Sequence, residues 1–322
     1  MPALTNKCYF NYGGQGPLPN PSLEAITTSW GKIQELGPFT NSVWPYIANE
    51  IETTRQLLAD LCGVSNKRIA LTENVTSGCV LPLWGLPFSS GDRILISDCE
   101  HPGVISACRE LARRNLLQID ILSVQQLRKG TKNQKNTELA VIESLEHALK
   151  KNTRLVVLSH LLWNTGQLMP IALIAKRLLD HPNKPFLLVD AAQSFGQMPV
   201  KEAAAAADIF AFTGHKWACG PEGLGGVAIS ERVMANANPT LIGWKSLKNE
   251  GIPNISLPEL FHSDSRRFEV ATSCVPLLAG LRCSLDLLEK ESPIRERLTN
   301  IKKLSAKFWA ILQDIQSAKT LL

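Results

Sequence analysis

The sequence predicts an α/β fold built on a mainly parallel sheet. Two observations carry this. Short strands that are apolar throughout recur between helical patterns, as in a sheet covered on both faces. Four residues with useful chemistry, Asp98, His160, Asp190 and Lys216, each stand just after a strand, where ligands of such sheets bind.

Residues 1–20 are rich in Gly and Pro and read as an extended arm. Pro21 opens a helical pattern that runs to Leu36 and stops at Gly37 and Pro38. A second helix is predicted from Pro45. Ile47, Ile51, Leu58 and Leu61 share one face of it, and Gly63 ends it. From Ile69 the chain alternates. Strands are predicted at 94–97, 155–159, 186–189, 209–212 and 226–229, because each is a short, wholly apolar run. Helical patterns fall at 76–85, 102–116, 138–151 and 170–181. Residues 240–268 read as irregular, and two more helices follow at 275–289 and 293–317.

Composition narrows the function classes. With 44% apolar and 20% charged residues over 322 positions, the chain can bury a sizeable core. The net charge is +5, but its one basic cluster, 128–135, lies in a polar stretch and reads as a solvated loop. There is no basic helix with interleaved aromatics, which argues against a nucleic-acid partner. No apolar run approaches the roughly 20 residues of a membrane span, and the N-terminus lacks an apolar signal core. Eight scattered cysteines without a CxxC pair read as free thiols in a reducing cytoplasm. No second ligand pair supports a metal at Cys99 and His101.

The most informative feature is Lys216, in Thr213-Gly-His-Lys-Trp217 after the strand at 209–212. The neighbouring strand ends in Asp190-Ala-Ala-Gln193. An amine and an acid on adjacent strand ends suit pyridoxal phosphate (PLP). The lysine would hold the cofactor as a Schiff base, and the acid would keep the pyridine nitrogen protonated. Thr76 and Ser77 open a helix, where N–H groups and hydroxyls can bind phosphate; a simple N-cap explains the same residues. His101, between a strand and a helix, is either a ring for stacking on an aromatic cofactor or a hydrogen-bonded loop histidine. The loop 159–167 carries Trp163 and Asn164, which are expected to be buried for a purpose, or else to form a structural turn.

The set His101, Asn164, Asp190 with Gln193, and Thr213 with His215 and Lys216 resembles the fold-type I PLP enzymes of the class V aminotransferase and cysteine desulfurase group. The stretches 10–16, 97–103, 159–167, 213–217 and 267–273 resemble the cyanobacterial L-cysteine/L-cystine C–S lyases within it. The resemblance implies an aspartate aminotransferase-like PLP-transferase fold, its seven-stranded, mainly parallel sheet set between helices. It implies an arm at 1–20, a PLP-binding large domain at 21–265, and connecting helices at 266–322 leading into a C-terminal small domain that is largely missing. It implies Lys216, His101 and Asp190 as catalytic residues, with His101 stacked on the ring. Gln193, with Asn164 nearby, would meet the phenolic oxygen. Thr76, Ser77, Thr213 and His215 would hold the phosphate, and Thr272 would reach the phosphate of the neighbouring subunit in a homodimer. The implied activity is β-elimination from a small sulfur amino acid, linked to sulfur supply for iron–sulfur clusters. The alternatives are a cysteine desulfurase, a class V aminotransferase, or a truncated PLP-binding protein with little activity.

Overall fold

The computed structural model describes residue 1 and residues 4–37, 40–127, 134–248 and 256–315. Most of the basic cluster at 128–135, and Pro38, lie outside the described residues. In chain order the elements are α1 (Asn20–Leu36), α2 (Val43–Cys62), β1 (Ile69–Thr72), α3 (Val75–Leu83), β2 (Arg93–Ser97), α4 (Pro102–Asn115), β3 (Gln118–Leu122), α5 (Gln134–Ala148), β4 (Thr153–Ser159), α6 (Ile171–Asp180), β5 (Phe186–Asp190), α7 (Lys201–Ala206), β6 (Ile209–Thr213), β7 (Gly225–Ile229), α8 (Glu231–Asn236), α9 (Leu257–Leu260), α10 (Pro276–Glu291) and α11 (Ile294–Gln313).

The strands form one seven-stranded sheet in the order β1-β7-β6-β5-β4-β2-β3. Strands β2 to β6 run parallel, and β7 is antiparallel to both its neighbours. The predicted α/β class and mainly parallel sheet are therefore observed. β1 and β3 are additions to the strands named from pattern.

Side chains alternate across the sheet and build two cores. Leu95, Val156, Leu158, Leu187, Val189, Phe210 and Phe212 face α2, α5, α6, α7 and α10. Ile94, Ile96, Leu155, Val157, Leu188, Ile209 and Val227 face α3, α4 and α8. The result is helices on both faces of the sheet. Helix α10 belongs to the first core through Leu278, Leu281 and Leu285. Helix α11 buries none of its residues.

The topology fixes where a ligand can sit. From β2 the chain moves outward to β3, then returns past β2 to β4 and continues the other way through β5 and β6. The order therefore reverses between β2 and β4. A crevice opens at such a switch point, beyond the carboxyl ends of the strands.

Candidate functional site

The carboxyl ends of β5 and β6 bring the predicted acid and amine together. Asp190 closes β5 and pairs with Ser159 of β4 on one side and Ala211 of β6 on the other. Its side chain is buried, and Oδ1 accepts from the Ala192 amide at 2.8 Å. Burial pushes the Asp190 pKa up, opposed by that amide and by the charges of Lys216 and His101. Burial pushes the Lys216 amine down, opposed by Asp190. His101, Asp190 and Lys216 thus share one electrostatic environment.

His101 is the N-cap of α4. Its Nδ1 accepts from the Gly103 amide at 3.1 Å, so the neutral ring carries its proton on Nε2. Thr213 Oγ1 meets His215 Nδ1 at 2.8 Å, which couples those two predicted phosphate ligands. At α3, Asn74 Oδ1 caps the Ser77 amide at 2.9 Å. The cap is therefore supplied by Asn74 and uses the Ser77 amide, with Thr76 exposed beside it.

Gln193 is held on two sides. Its Nε2 donates to the Gly13 carbonyl at 3.0 Å, and its Oε1 accepts from Trp217 Nε1 at 2.9 Å. One amide hydrogen remains for a ligand. Tyr12 stacks on Trp217 with ring centroids 6.0 Å apart, and the Gly16 amide donates to the His215 carbonyl. The N-terminal arm therefore clasps the turn that carries Lys216. That turn is also fixed from behind. Cys219 sits at a left-handed φ of 49°, and its carbonyl accepts from Ser284 Oγ at 2.8 Å. Ser284 Oγ in turn lies 2.7 Å from Ser22 Oγ.

Two expectations change. Trp163 and Asn164 are not buried; Trp163 is 57% exposed. The loop closes on itself, with Gly166 and Met169 amides donating to Leu162 and His160 carbonyls at 2.8 and 2.9 Å, so its tip points outward. Asn164 donates through Nδ2 to Cys99 Sγ at 3.5 Å. His160, although just past β4, turns inward against Phe210. Burial pushes its pKa down to about 4, and its Nδ1 has no partner among the described residues. Thr272 is exposed in the segment leading to α10.

Sequence reasoning passed over Glu100. It is 4% exposed at the β2–β4 crevice and is held by Ser97 and Ser159. Its position beside His101 was visible, but its partner Ser159 is 59 residues away. Tyr12, Gly13 and Gly16 were likewise quoted only as part of an arm.

The donor set fits PLP. A buried carboxylate suits a ring nitrogen that must stay protonated. A half-buried amine beside it suits an aldehyde carbon, and an imidazole and hydroxyls flank both.

Comparison with known proteins follows the same direction. The family model described as aminotransferase class-V matches residues 41–322. The chain is similar to the cystine C–S lyase C-DES, solved with its reaction product cysteine persulfide. The TM-score is 0.89 and the identity 40%, over 98% of this chain and 80% of that one. A variant of C-DES is solved with glycine covalently linked to the PLP cofactor. The chain is also 25% identical over 293 residues to a probable cysteine desulfurase of Methanothermobacter thermautotrophicus, covering 90% of this chain and 68% of that protein. It is 29% identical over 271 residues to cysteine desulfurase IscS of Pasteurella multocida, covering 83% and 58%.

Proposed function

The chain belongs to the aminotransferase class-V family, a PLP-dependent family, and on that premise we propose that it is a carbon–sulfur lyase acting on L-cystine or L-cysteine. The observation that carries the lyase reading is the 40% identity to a cystine C–S lyase over 98% of the chain, against 25% and 29% to the two desulfurases above. With cystine and water, the products are cysteine persulfide, pyruvate and ammonia. With cysteine, sulfide replaces the persulfide. Such sulfur is in a form usable for iron–sulfur clusters.

Each residue has a task under this reading. When bound, PLP supplies an electron sink that lets a Cα–H bond break. Lys216 holds the cofactor covalently and moves the Cα proton. Asp190 would keep the ring nitrogen protonated, and its burial would strengthen that contact because little water screens it. His101 would stack on the ring. Gln193, oriented by Gly13 and Trp217, would offer its second amide hydrogen to the phenolic oxygen, a task we also assign to Asn164. Thr76, Ser77, Thr213 and His215 hold the phosphate. Thr272 reaches toward the neighbouring subunit's phosphate.

That last role needs a homodimer. The exposed Trp44 and Trp244, on the wall of a surface hollow that also carries Glu52, Arg55 and Arg266, are surface a second copy could cover. We assign 1–20 to the arm, 21–265 to the PLP-binding domain and 266–322 to connecting segments. We assign the chain to a reducing cytoplasm from its scattered cysteines without a CxxC pair; among the described residues no helix is long and apolar enough to cross a membrane.

The test is the product profile of the purified protein given cystine. Pyruvate and persulfide in equal amounts support the lyase. Alanine selects a desulfurase, and dependence on an added keto acid selects an aminotransferase.

A further inference from the structure

Three donors converge on one buried carboxylate outside the acid–amine pair. Ser97 Oγ donates to Glu100 Oε1, the Ser159 amide donates to the same oxygen at 2.8 Å, and Ser159 Oγ donates to Oε2 at 2.8 Å. Ser97 is the last residue of β2 and Ser159 the last of β4. The β2–β4 register ends at Ile96 and Val157, one step before Ser97. Beyond that step, the carboxylate spans the crevice where the strand order reverses. The same short loop is pinned on its other side. Asp98 Oδ1 accepts from the amides of Val124 and Gln125 at 2.9 and 3.0 Å. The loop 98–101 is thus fixed to the β3 side by Asp98 and to the β4 side by Glu100, and it delivers His101 to the start of α4.

A buried carboxyl is costly to keep unless its oxygens are paired. An apolar residue would fill the space without that cost, but it could not join two strand ends whose hydroxyls and amide need an acceptor. Burial raises the Glu100 pKa to about 7, opposed by its bonds to Ser97 and Ser159. The groups that feel its charge are Asp190 from β5, Cys79 from α3, Cys108 from α4 and its neighbour Cys99.

We propose that Glu100 is a positioning residue for the cofactor site, holding His101 in place opposite the strand end that carries Asp190. The proposal rests on the PLP reading above. It says that Glu100 acts through His101 and not by touching the cofactor.

The experiment is a double-mutant cycle on PLP affinity, read by titrating apoprotein with PLP and following cofactor absorbance. In the His101 background, Glu100→Ala is expected to weaken PLP binding about tenfold, and in a His101→Ala background less than about twofold, because coupled neighbours are not additive. Glu100→Gln keeps an oxygen for Ser97 and the Ser159 amide, and is expected to restore affinity to within about threefold of wild type. If Glu100→Ala does not fold, Ser159→Ala, which removes one strut donor, should show the same dependence on His101. An equal loss in both backgrounds, or no loss in either, overturns the proposal. A wild-type protein that binds no PLP overturns the cofactor reading itself, which the cycle separates from the positioning claim.

Discussion

The Gly16 amide donates to the His215 carbonyl at 2.7 Å. The bond places the arm's backbone directly against the turn that presents Lys216. A Cβ at position 16 would lie 1.9 Å from the Lys216 carbonyl oxygen.

Gly16→Ala is therefore expected to cost about 1–3 kcal/mol or more through overpacking, and to weaken PLP binding as the turn shifts. Gly31→Ala is the control. It lies in α1 with nothing within 4 Å of its Cβ, and is expected to stabilise by about 0.5–1 kcal/mol. Thermal melts of both apoproteins check this; equal melting points would refute it.

Lys216 is expected to carry the cofactor. The purified protein should be yellow, and borohydride should fix PLP to a Lys216 peptide seen by mass spectrometry. A label on another lysine would remove the assignment.

Asp190→Asn is expected to keep the fold and some cofactor while losing turnover. A hydrogen bond to a charged group is worth about 1.5–3 kcal/mol, so the loss should be about 10–150-fold in rate. Unchanged pyruvate release from cystine would show that Asp190 serves the fold alone.

Glu100 gives a pH-dependent stability. Its folded pKa, about 7, lies above the ordinary 4.5. The folded state therefore binds its proton more tightly. That contribution is full below about pH 4.5 and fades as pH rises through 7. Glu100→Gln does not titrate, so its stability relative to wild type should improve from pH 5 to pH 8. The expected gain is about 3 kcal/mol at most, measured by denaturant unfolding of the apoproteins. A difference that stays flat across the window would mean that Glu100 does not titrate there.

Much of this fold was legible because its central strands are buried on both faces. β5 and β6 are buried at every position, and so read as unbroken apolar runs. β3 was not legible. It pairs only with β2, and its Gln118 and Asp120 break the apolar run. β1 ends in Thr72, so its apolar run is only Ile69 to Leu71, shorter than the runs of β4, β5 and β6. Helix α2 begins at Val43, two residues before the predicted Pro45, because proline is tolerated in a first turn. Lys216 and Asp190 were visible because each stands just past such a run. Glu100 was not, because its partner Ser159 lies 59 residues away, and Gln193 was named without its partner Gly13, 180 residues away; only the folded sheet brings these pairs together.

The bond from Ser284 to the Cys219 carbonyl, and the contact of Ser284 with Ser22 262 residues earlier, set an order of assembly. A growing chain can pair β4, β5 and β6 before α10 exists. The bond that braces the turn after β6 from behind forms only once residue 284 has been made. We predict that the pocket is among the last features to mature, because closing so long a loop comes at an entropic cost; cofactor binding that precedes docking of α10 during refolding would count against this. Retained cofactor would then report on completed folding as well as on the site.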